Sequence, residues 1–297
     1  MQLRVNGEPI PLAFGGDDSI GQVLSRADEV LEQTGSVIVG LSLDGQNVDP
    51  ESFPTLRDRS ISEAGIIDII AQSSSDYRAK AIDLFLDLLA IGARAVKGED
   101  ELWAAFLDNV TEFVKDLSGL FPADELSFLK DFEDTLATSL GEGLPPATAQ
   151  RSAVALRIEG LGTFFRERLA ELRDPVSETR RTASLYVAEA EELRELPVRL
   201  QTGKESEAMR TIVMFIEIFN KVIRLIPELR KRGIDTDMIR IDDLGLEAFH
   251  VAFNEILRGF SKAIEDRDSV LIGDLAEYEL APRMGSLFSA LKEALPQ

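Results

Sequence analysis

A metal site is the first chemistry to test, because Glu247 and His250 lie three residues apart on a predicted helix. That spacing places both side chains on one helix face, as in carboxylate-bridged di-iron bundles. Such a site needs two of these motifs and two further glutamates, but the chain has one histidine and no cysteine. The lack of cysteine also excludes disulfides, thiolate catalysis and cysteine-based metal centres. We therefore predict no metal site and expect His250 to be a partly buried helical residue.

A second candidate is an acidic segment beside Pro282, which contains Asp274, Glu277, Tyr278 and Glu279. Paired carboxylates can act as general acid and base when burial raises one pKa. Sugar hydrolysis would also need an aromatic-lined cleft, and the chain has one Trp and three Tyr. The simpler interpretation is a solvated helix face with one packing tyrosine. The alternative is a recognition face, so these four residues are our candidate interaction site.

Motifs for phosphate binding and for nucleophilic catalysis are missing from the sequence. The glycine turns at 15–16 and 141–143 lack the GxGxxG and GxxxxGK[ST] spacings that phosphates require. A Ser–His–Asp triad would have to use His250 without a GxSxG turn. Basic clusters lie at 180–181 and 230–232, the latter in the last predicted turn of a helix, where cations suit the macrodipole. We predict no catalytic residue, no cofactor and no enzyme activity.

The net charge of −21 limits the partners. Residues 1–75 carry 4 basic and 12 acidic side chains, 76–174 carry 11 and 19, and 175–297 carry 17 and 22, so no separate acidic tail exists. Nucleic acid and anionic membranes attract Lys and Arg patches, so we exclude both. We interpret the acidity as a solvated surface, with steering of a basic partner as the alternative.

The N-terminus has the alternating pattern of a small sheet. Runs at 3–5 and 10–14 predict two strands joined at Asn6-Gly7, where both residues tolerate positive φ. Pro9 and Pro11 should confine the second strand to limited pairing.

A helix and two more strands follow. Asp17, Asp18 and Ser19 can cap a helix whose apolar face runs from Ile20 to Leu31, and Gly35 ends it. Further strands are predicted over 37–43, ending in the turn Asp44-Gly45, and over 66–70. This order of elements is that of a β-grasp.

The segment resembles the ubiquitin-like family over most of residues 1–71. Its most specific feature is the pattern Thr-Leu-x-Asp-x-x-Ile before the last strand, and the matching stretches are Met1–Val5, Asp18–Ile20, Thr55–Ile61 and Gly65–Ala71. The resemblance implies a small binding module. Some members are conjugated through a C-terminal Gly-Gly, but this chain continues far beyond residue 71, so docking is expected instead.

After a polar linker at 72–76 the apolar period changes from 2 to 3.6 residues, which predicts helices to the end of the chain. Pro197 and Pro282 fall inside predicted helices, where each should kink the helix or mark a break. The predicted helices are 76–96, 101–120, 123–141, 147–172, 179–201, 205–231, 245–265 and 269–294.

Residues 76–172 and 179–294 have similar outlines, which we interpret as a degenerate tandem repeat of a four-helix unit. Their third helices share an i, i+4, i+8 ladder, formed by Phe128, Phe132 and Leu136 and by Phe249, Phe253 and Leu257. Ordinary amphipathic helices also share such patterns, which is the alternative. The stretches at 201–209 and 263–282 resemble uncharacterised bacterial helical proteins, which implies a bacterial origin but no activity.

We therefore predict an α+β, mostly α, multidomain chain: a ubiquitin-like β-grasp at 1–72 and helical bundles at 76–174 and 177–297. The first residues lack the basic and apolar regions of a signal peptide, and no stretch approaches the roughly 20 apolar residues of a membrane span. We expect a cytoplasmic protein.

The expected function is a non-catalytic protein-interaction module, an adaptor or chaperone-like protein, that docks through the β-grasp or through helical faces. The partner is a protein of unknown identity, and self-association is left open. The alternative is a small-molecule-binding protein or an enzyme with a pocket between helices.

Overall fold

The computed structural model describes residues 1–121, 127–139 and 148–296. It divides the chain into two compact units, Met1–Arg173 and Asp174–Gln297. The first unit contains a sheet with its own apolar core and a helical part with a second core, and the second unit contains a third core. The predicted α+β, mostly α class is confirmed. The division into three domains stays a prediction.

The N-terminal sheet has the strand order β2-β1-β5-β3-β4. Strands β1 and β5 are parallel, and the other neighbours are antiparallel. One helix, α1, packs its apolar face on the sheet, which gives a β-grasp-like arrangement. The bounds are β1 Gln2–Val5, β2 Glu8–Pro9, α1 Ile20–Gln33, β3 Ser36–Leu43, β4 Gln46–Asn47 and β5 Ile66–Ser73.

The predicted second strand over 10–14 is wrong, because β2 contains only Glu8 and Pro9. The Ile10 N–H still donates to Leu3 C=O of β1 at 3.2 Å, and Pro9 and Pro11, which have no N–H, place this short strand at the edge of the sheet. The apolar side chains at 10, 12 and 14 still pack against the core. Alternation therefore predicted burial correctly but not pairing.

Local signals fixed the ends of α1 as expected. Ser19 Oγ accepts from the Gln22 N–H at 3.3 Å, and Gln22 Oε1 accepts from the Ser19 N–H at 2.8 Å, which is a capping box. Gly35 follows the helix at φ 70°, a conformation that glycine adopts without strain. The connection from β4 to β5 holds a single-turn helix, α2 (Phe53–Leu56), which the sequence pattern did not predict.

The predicted linker at 72–76 does not exist as a separate segment. Strand β5 ends at Ser73 and helix α3 (Ser74–Val96) begins at the next residue, with the Ser73 hydroxyl accepting from the Asp76 N–H. The Ser74 N–H donates to Gly35 C=O at 2.8 Å, and Lys80 Nζ donates to Gln72 Oε1 at 3.0 Å. The sheet and α3 are therefore joined without a flexible connection.

The rest of the first unit packs around α3, which contacts both α4 and α6, and α5 packs on α6. Phe85 meets Phe165 edge to face at 5.0 Å between ring centroids, and Gly92 lies against the buried ring of Phe106. Phe132 and Leu136 are buried as predicted, whereas the Phe128 side chain and the turn at 141–143 lie outside the described residues. The bounds are α4 Leu102–Ser118, α5 Ser127–Ser139 and α6 Thr148–Arg173.

In the second unit α9 packs on α7 and α8, and Phe219 of α9 stacks on Phe253 of α10 at 4.0 Å between ring centroids. Phe249 and Phe253 are buried and Leu257 is half-buried. The bounds are α7 Pro175–Arg194, α8 Leu196–Gln201, α9 Glu205–Lys231, β6 Arg240–Ile241, β7 Leu244–Gly245, α10 Leu246–Glu265, α11 Ser269–Asp274 and α12 Ala281–Ala294.

The sequence pattern did not predict the hairpin β6–β7. Asp242 and Asp243 form its turn at φ 50° and 65°, a role usually taken by Asn and Gly. Within residues 74–121, 127–139 and 148–173, no counterpart of this hairpin occurs. The tandem repeat stays a prediction. Across the described ranges, no helix has both the length and the apolar character needed to cross a bilayer.

Replacing Gly92 with Ala should destabilise the first unit. The new Cβ would lie 2.6 Å from the Phe106 ring, and overpacking of this kind costs about 1–3 kcal/mol. Urea unfolding followed by the fluorescence of Trp103, the single tryptophan, measures the loss. Gly160→Ala on α6 is the matched control, because nothing lies within 4 Å of its Cβ, and it should be neutral or stabilising. Equal midpoints for both variants would contradict this packing.

Candidate functional site

The four predicted interaction residues lie on one continuous helical segment of the second unit. Asp274 and Glu277 are exposed, and Tyr278 is exposed at 66 %. Glu279 is half-buried and accepts from Arg283 Nε at 3.2 Å. Three of the four therefore face solvent, whereas Glu279 is held in an ion pair with the following helix.

Residues Leu275–Leu280 form a π turn between α11 and α12. In this turn the Ala281 N–H donates to the C=O of Ala276, five residues earlier. Pro282 explains the widening: it has no N–H, and in an α-helix its ring would press on the C=O of Tyr278. The break predicted at Pro282 is thus confirmed. Pro197 also marks a break, because α7 ends at Arg194 and Pro197 lies in the first turn of α8.

Two contacts hold the π turn in place. Gly273, just before it, lies against Pro197, so closely that a Cβ there would be 3.1 Å from the proline ring. Tyr186 on α7 donates its hydroxyl to Ala281 C=O at 3.0 Å and stacks on Phe288. These contacts fix the buried side of the segment, so Tyr278 remains on the solvent side. π turns are rare and occur often at functional sites.

Glu247 and His250, the predicted E-x-x-H pair, lie in surroundings that explain them as structural residues of helix α10. The His250 ring is half-buried, with its centroid 6.0 Å from that of Phe219. Glu247 is exposed in the first turn of α10, where a carboxylate suits the helix dipole. Among the residues that the structure describes, no group of three His, Asp or Glu side chains is arranged to hold a metal ion.

The basic clusters are used in local contacts. Arg230 and Lys231 lie in the last turn of α9, as predicted, and Arg230 donates to Thr236 at 3.0 Å and to Asp237 at 2.8 Å. Arg181 pairs with Glu178 at 3.5 Å. Arg180 donates to the C=O of Pro296. These contacts support the structural interpretation of both clusters.

A polar cleft of about 300 Å³ lies between α7, α8 and α9. Its central Arg199 pairs with Glu192 and Glu195 and donates to Thr211 at 3.1 Å. The hydrogen bond with Glu192 is the main reason that the pKa of Arg199 is raised. The guanidinium therefore stays charged, and its donors are taken by protein groups.

Sequence reasoning missed a groove on the N-terminal sheet. It has a volume of about 590 Å³ and runs between α1 and the outer side of β3. The connection after β4 contributes Phe53 and Arg57 to the lining. The lining residues are Gly21, Leu24, Ser25, Asp28, Ile38, Val39, Gly40, Leu41, Val48, Pro50, Phe53 and Arg57. Most of these side chains are apolar or small, so the groove suits a partner that buries apolar groups.

The groove exists because β4 is short. Strand β4 pairs with β3 only at Ser42 and Leu43, and beyond them the Val48 N–H donates to Leu41 C=O at 2.8 Å. A longer β4 would cover the same space. The apolar pattern of the sequence gives no signal for this length.

Comparison with known proteins gives two family matches. Residues 1–73 match the TP0873 N-terminal domain, and residues 179–289 match a domain of unknown function (DUF8042). The first match ends at the last residue of β5, and the second lies inside the unit Asp174–Gln297 and includes the π turn. No solved structure matches the chain.

One relative is an uncharacterised protein of Treponema pallidum (strain Nichols). It is 27 % identical over 103 residues, which cover 35 % of this chain and 51 % of the relative. The chain therefore spans about half the length of the curated relative that it matches.

Replacing Gly273 with Ala should destabilise the second unit, because the new Cβ would lie 3.1 Å from the Pro197 ring. The proline ring is rigid, so we expect a lower thermal midpoint than that of the control variant, measured by circular dichroism. Gly259→Ala on α10 is the control, since its Cβ would make only an ordinary contact of 3.7 Å with Leu275. A midpoint for Gly273→Ala at or above that of Gly259→Ala would refute the contact.

Stability at alkaline pH should depend on Tyr186. Burial raises the pKa of its hydroxyl, so the protonated form is favoured in the folded state. This contribution is complete below the unfolded tyrosine pKa of about 10 and is lost as pH rises through the folded value.

Urea midpoints measured from pH 9 to 12 should fall more steeply for the native chain than for Tyr186→Phe. At neutral pH the same variant should lose about 1 kcal/mol with its hydrogen bond to Ala281. Parallel pH profiles for the two proteins would show that Tyr186 is not linked to folding.

Proposed function

We propose that this chain is a non-catalytic protein-interaction module of the cytoplasm, an adaptor or chaperone-like protein that docks through its N-terminal β-grasp. The observation that carries the proposal is the uncovered groove between α1 and β3. We further propose that the sheet is a ubiquitin-like domain. Its strand order, with parallel β1 and β5 at the centre, supports that assignment.

The groove supports docking because its apolar surface is left open to water. Leu24 and Leu41 are each 7 % exposed, so they form a firm floor, whereas Val39 on the strand is exposed at 39 %. Covering apolar surface contributes about 25 cal/mol per Å². A partner that covers this groove therefore gains free energy without reorganising the sheet.

A non-catalytic function is supported by the ion pairs and hydrogen bonds that engage the carboxylates and guanidinium groups suited to catalysis. The buried carboxylates of Glu171 and Glu178 are paired with Arg168 and with Lys221. Glu279 is paired with Arg283, and Arg199 is occupied in its cleft. General acid–base catalysis requires a group that can reach a substrate, and these groups are engaged by the protein itself.

Charge favours a cationic or neutral partner over nucleic acid. The first 75 residues carry 12 acidic and 4 basic side chains. Two of the basic side chains are already paired, Arg26 with Asp18 at 2.7 Å and Arg59 with Glu63 at 2.8 Å. Phosphate binding needs available Lys and Arg, so the surface suits a protein partner.

Photo-crosslinking in extract of the source cell tests the proposal. A benzophenone amino acid replaces Val39 in the groove in one full-length variant, and Val30 on α1 in another. Val30 is exposed at 44 % and does not line the groove, so it is a matched control. We expect discrete adducts with a protein from position 39 and few from position 30.

A second measurement identifies those adducts by mass spectrometry and repeats the reaction with Ser25→Arg, which fills the groove from α1. The adducts should fall by at least about tenfold, as for the loss of a hot-spot contact. Equal labelling from both positions, or labelling that survives Ser25→Arg, would rule out the groove as the docking site.

A further inference from the structure

The two edges of the N-terminal sheet differ in their capacity to accept another strand. The edge at β2 is two residues long, and on its outer side Pro9, with Pro11 beyond it, offers no N–H to an added strand. The outer side of β3 has no strand partner from Ser36 to Gly40. Those five residues span about 17 Å at the usual rise per residue. One edge is blocked and the other is open.

An open edge provides unused backbone N–H and C=O groups in a row. Here the row is next to the groove, because Ile38, Val39, Gly40 and Leu41 belong both to β3 and to the groove wall. Val39 is the extra residue of a bulge, has no partner on β5 and is partly exposed. An extended chain could therefore bond to β3 and bury side chains against α1 in a single arrangement.

One carboxylate in the lining of the groove has no ion-pair partner among the described residues. Asp28 lines the groove from α1 and makes no hydrogen bond or ion pair within the described ranges. The other charged lining residue is Arg57, in the connection after β4. With the excess of acidic side chains in residues 1–75, Asp28 favours a cationic group on a partner that lies in the groove.

We propose that the partner provides an extended peptide segment that adds to β3 as a further strand. Its alternate side chains are apolar and enter the groove, and a Lys or Arg reaches Asp28. This inference rests on the proposed function and names the chemistry of its partner. Strand addition gives affinity through the main chain and specificity through alternate side chains.

Pairing of β3 with β3 of a second copy is disfavoured by charge. A second copy would bring its own excess of acidic side chains to the same edge, and like charges in an interface oppose association. A basic, apolar peptide removes this repulsion. Light scattering at rising protein concentration tests whether the chain dimerises. A dimer that Val39→Glu abolishes would overturn the peptide proposal.

Selection of linear octapeptides displayed on phage against the immobilised full chain tests the proposal directly. We expect enriched sequences with apolar residues at every second position and at least one Lys or Arg. Synthetic peptides from the selection should lose at least about tenfold in affinity when the amides facing β3 are N-methylated. They should lose much less when the alternate amides are N-methylated, because those face away from β3.

Two charge-reversal variants on α1, which make the same change in net charge, test the role of Asp28. Asp28→Lys should weaken binding of the selected peptides by about tenfold, and less at high salt. Glu29→Lys makes the same change in net charge at an exposed α1 position outside the groove, and should leave affinity within about twofold. Hydrogen exchange should slow at residues 36–41 when peptide is bound.

Several outcomes would overturn strand addition: no enriched peptides, acidic consensus sequences, or binding insensitive to N-methylation. Equal effects of Asp28→Lys and Glu29→Lys would overturn the role of Asp28. Failure here is distinct from failure of the proposed function. If crosslinks form at position 39 but no linear peptide displaces them, the proposed docking function stands. The partner would then bind through a folded surface rather than through an extended peptide.

Discussion

Strand β5 is the element on which the first unit depends. It lies between β1 and β3 and hydrogen-bonds to both, so without it the sheet would separate into the pairs β1–β2 and β3–β4. It then continues without an interruption into α3, the helix that contacts both α4 and α6. One run of backbone thus organises the core of the sheet and the core of the helices. Ile67 and Ile69, fully buried in the sheet, anchor this run.

Several prolines lie where regular hydrogen bonding stops or changes, although Pro227 lies inside the continuous helix α9. Pro197 lies in the first turn of α8, just after α7 ends, and Pro282 lies at the π turn. In both helices the cause is a missing N–H and a ring that conflicts with the carbonyl four residues earlier. In β2, Pro9 has no N–H on the outer side of the strand. The same effect makes one sheet edge unable to accept a strand and leaves the edge at β3 as the available one. Backbone chemistry therefore determines which edge of the sheet is open to pairing.

The two candidate surfaces differ in what they offer a partner. The π turn region presents Tyr278, Asp274 and Glu277 as exposed side chains. The groove beside β3 offers main-chain hydrogen bonds, an apolar floor and one unpaired carboxylate. Concave sites exclude water and reward shape complementarity, so the groove carries the stronger case. The family matches cover both surfaces, at 1–73 and 179–289.

The sequence by itself determined much of the local structure, although not the two-residue β2, helix α2 or the hairpin β6–β7. The Ser19 cap, the turns at Asn6-Gly7 and Asp44-Gly45, the breaks at Pro197 and Pro282 and the course of the long helices follow from rules that act within a few residues. Alternation and the 3.6-residue period also identified the apolar faces, because the local geometry of a strand or helix sets which residues share a face. The tertiary structure alone decided the length of β4, the junction at Ser73-Ser74 and the groove. These features depend on which distant backbone groups pair, and a pattern of side chains does not specify where pairing ends.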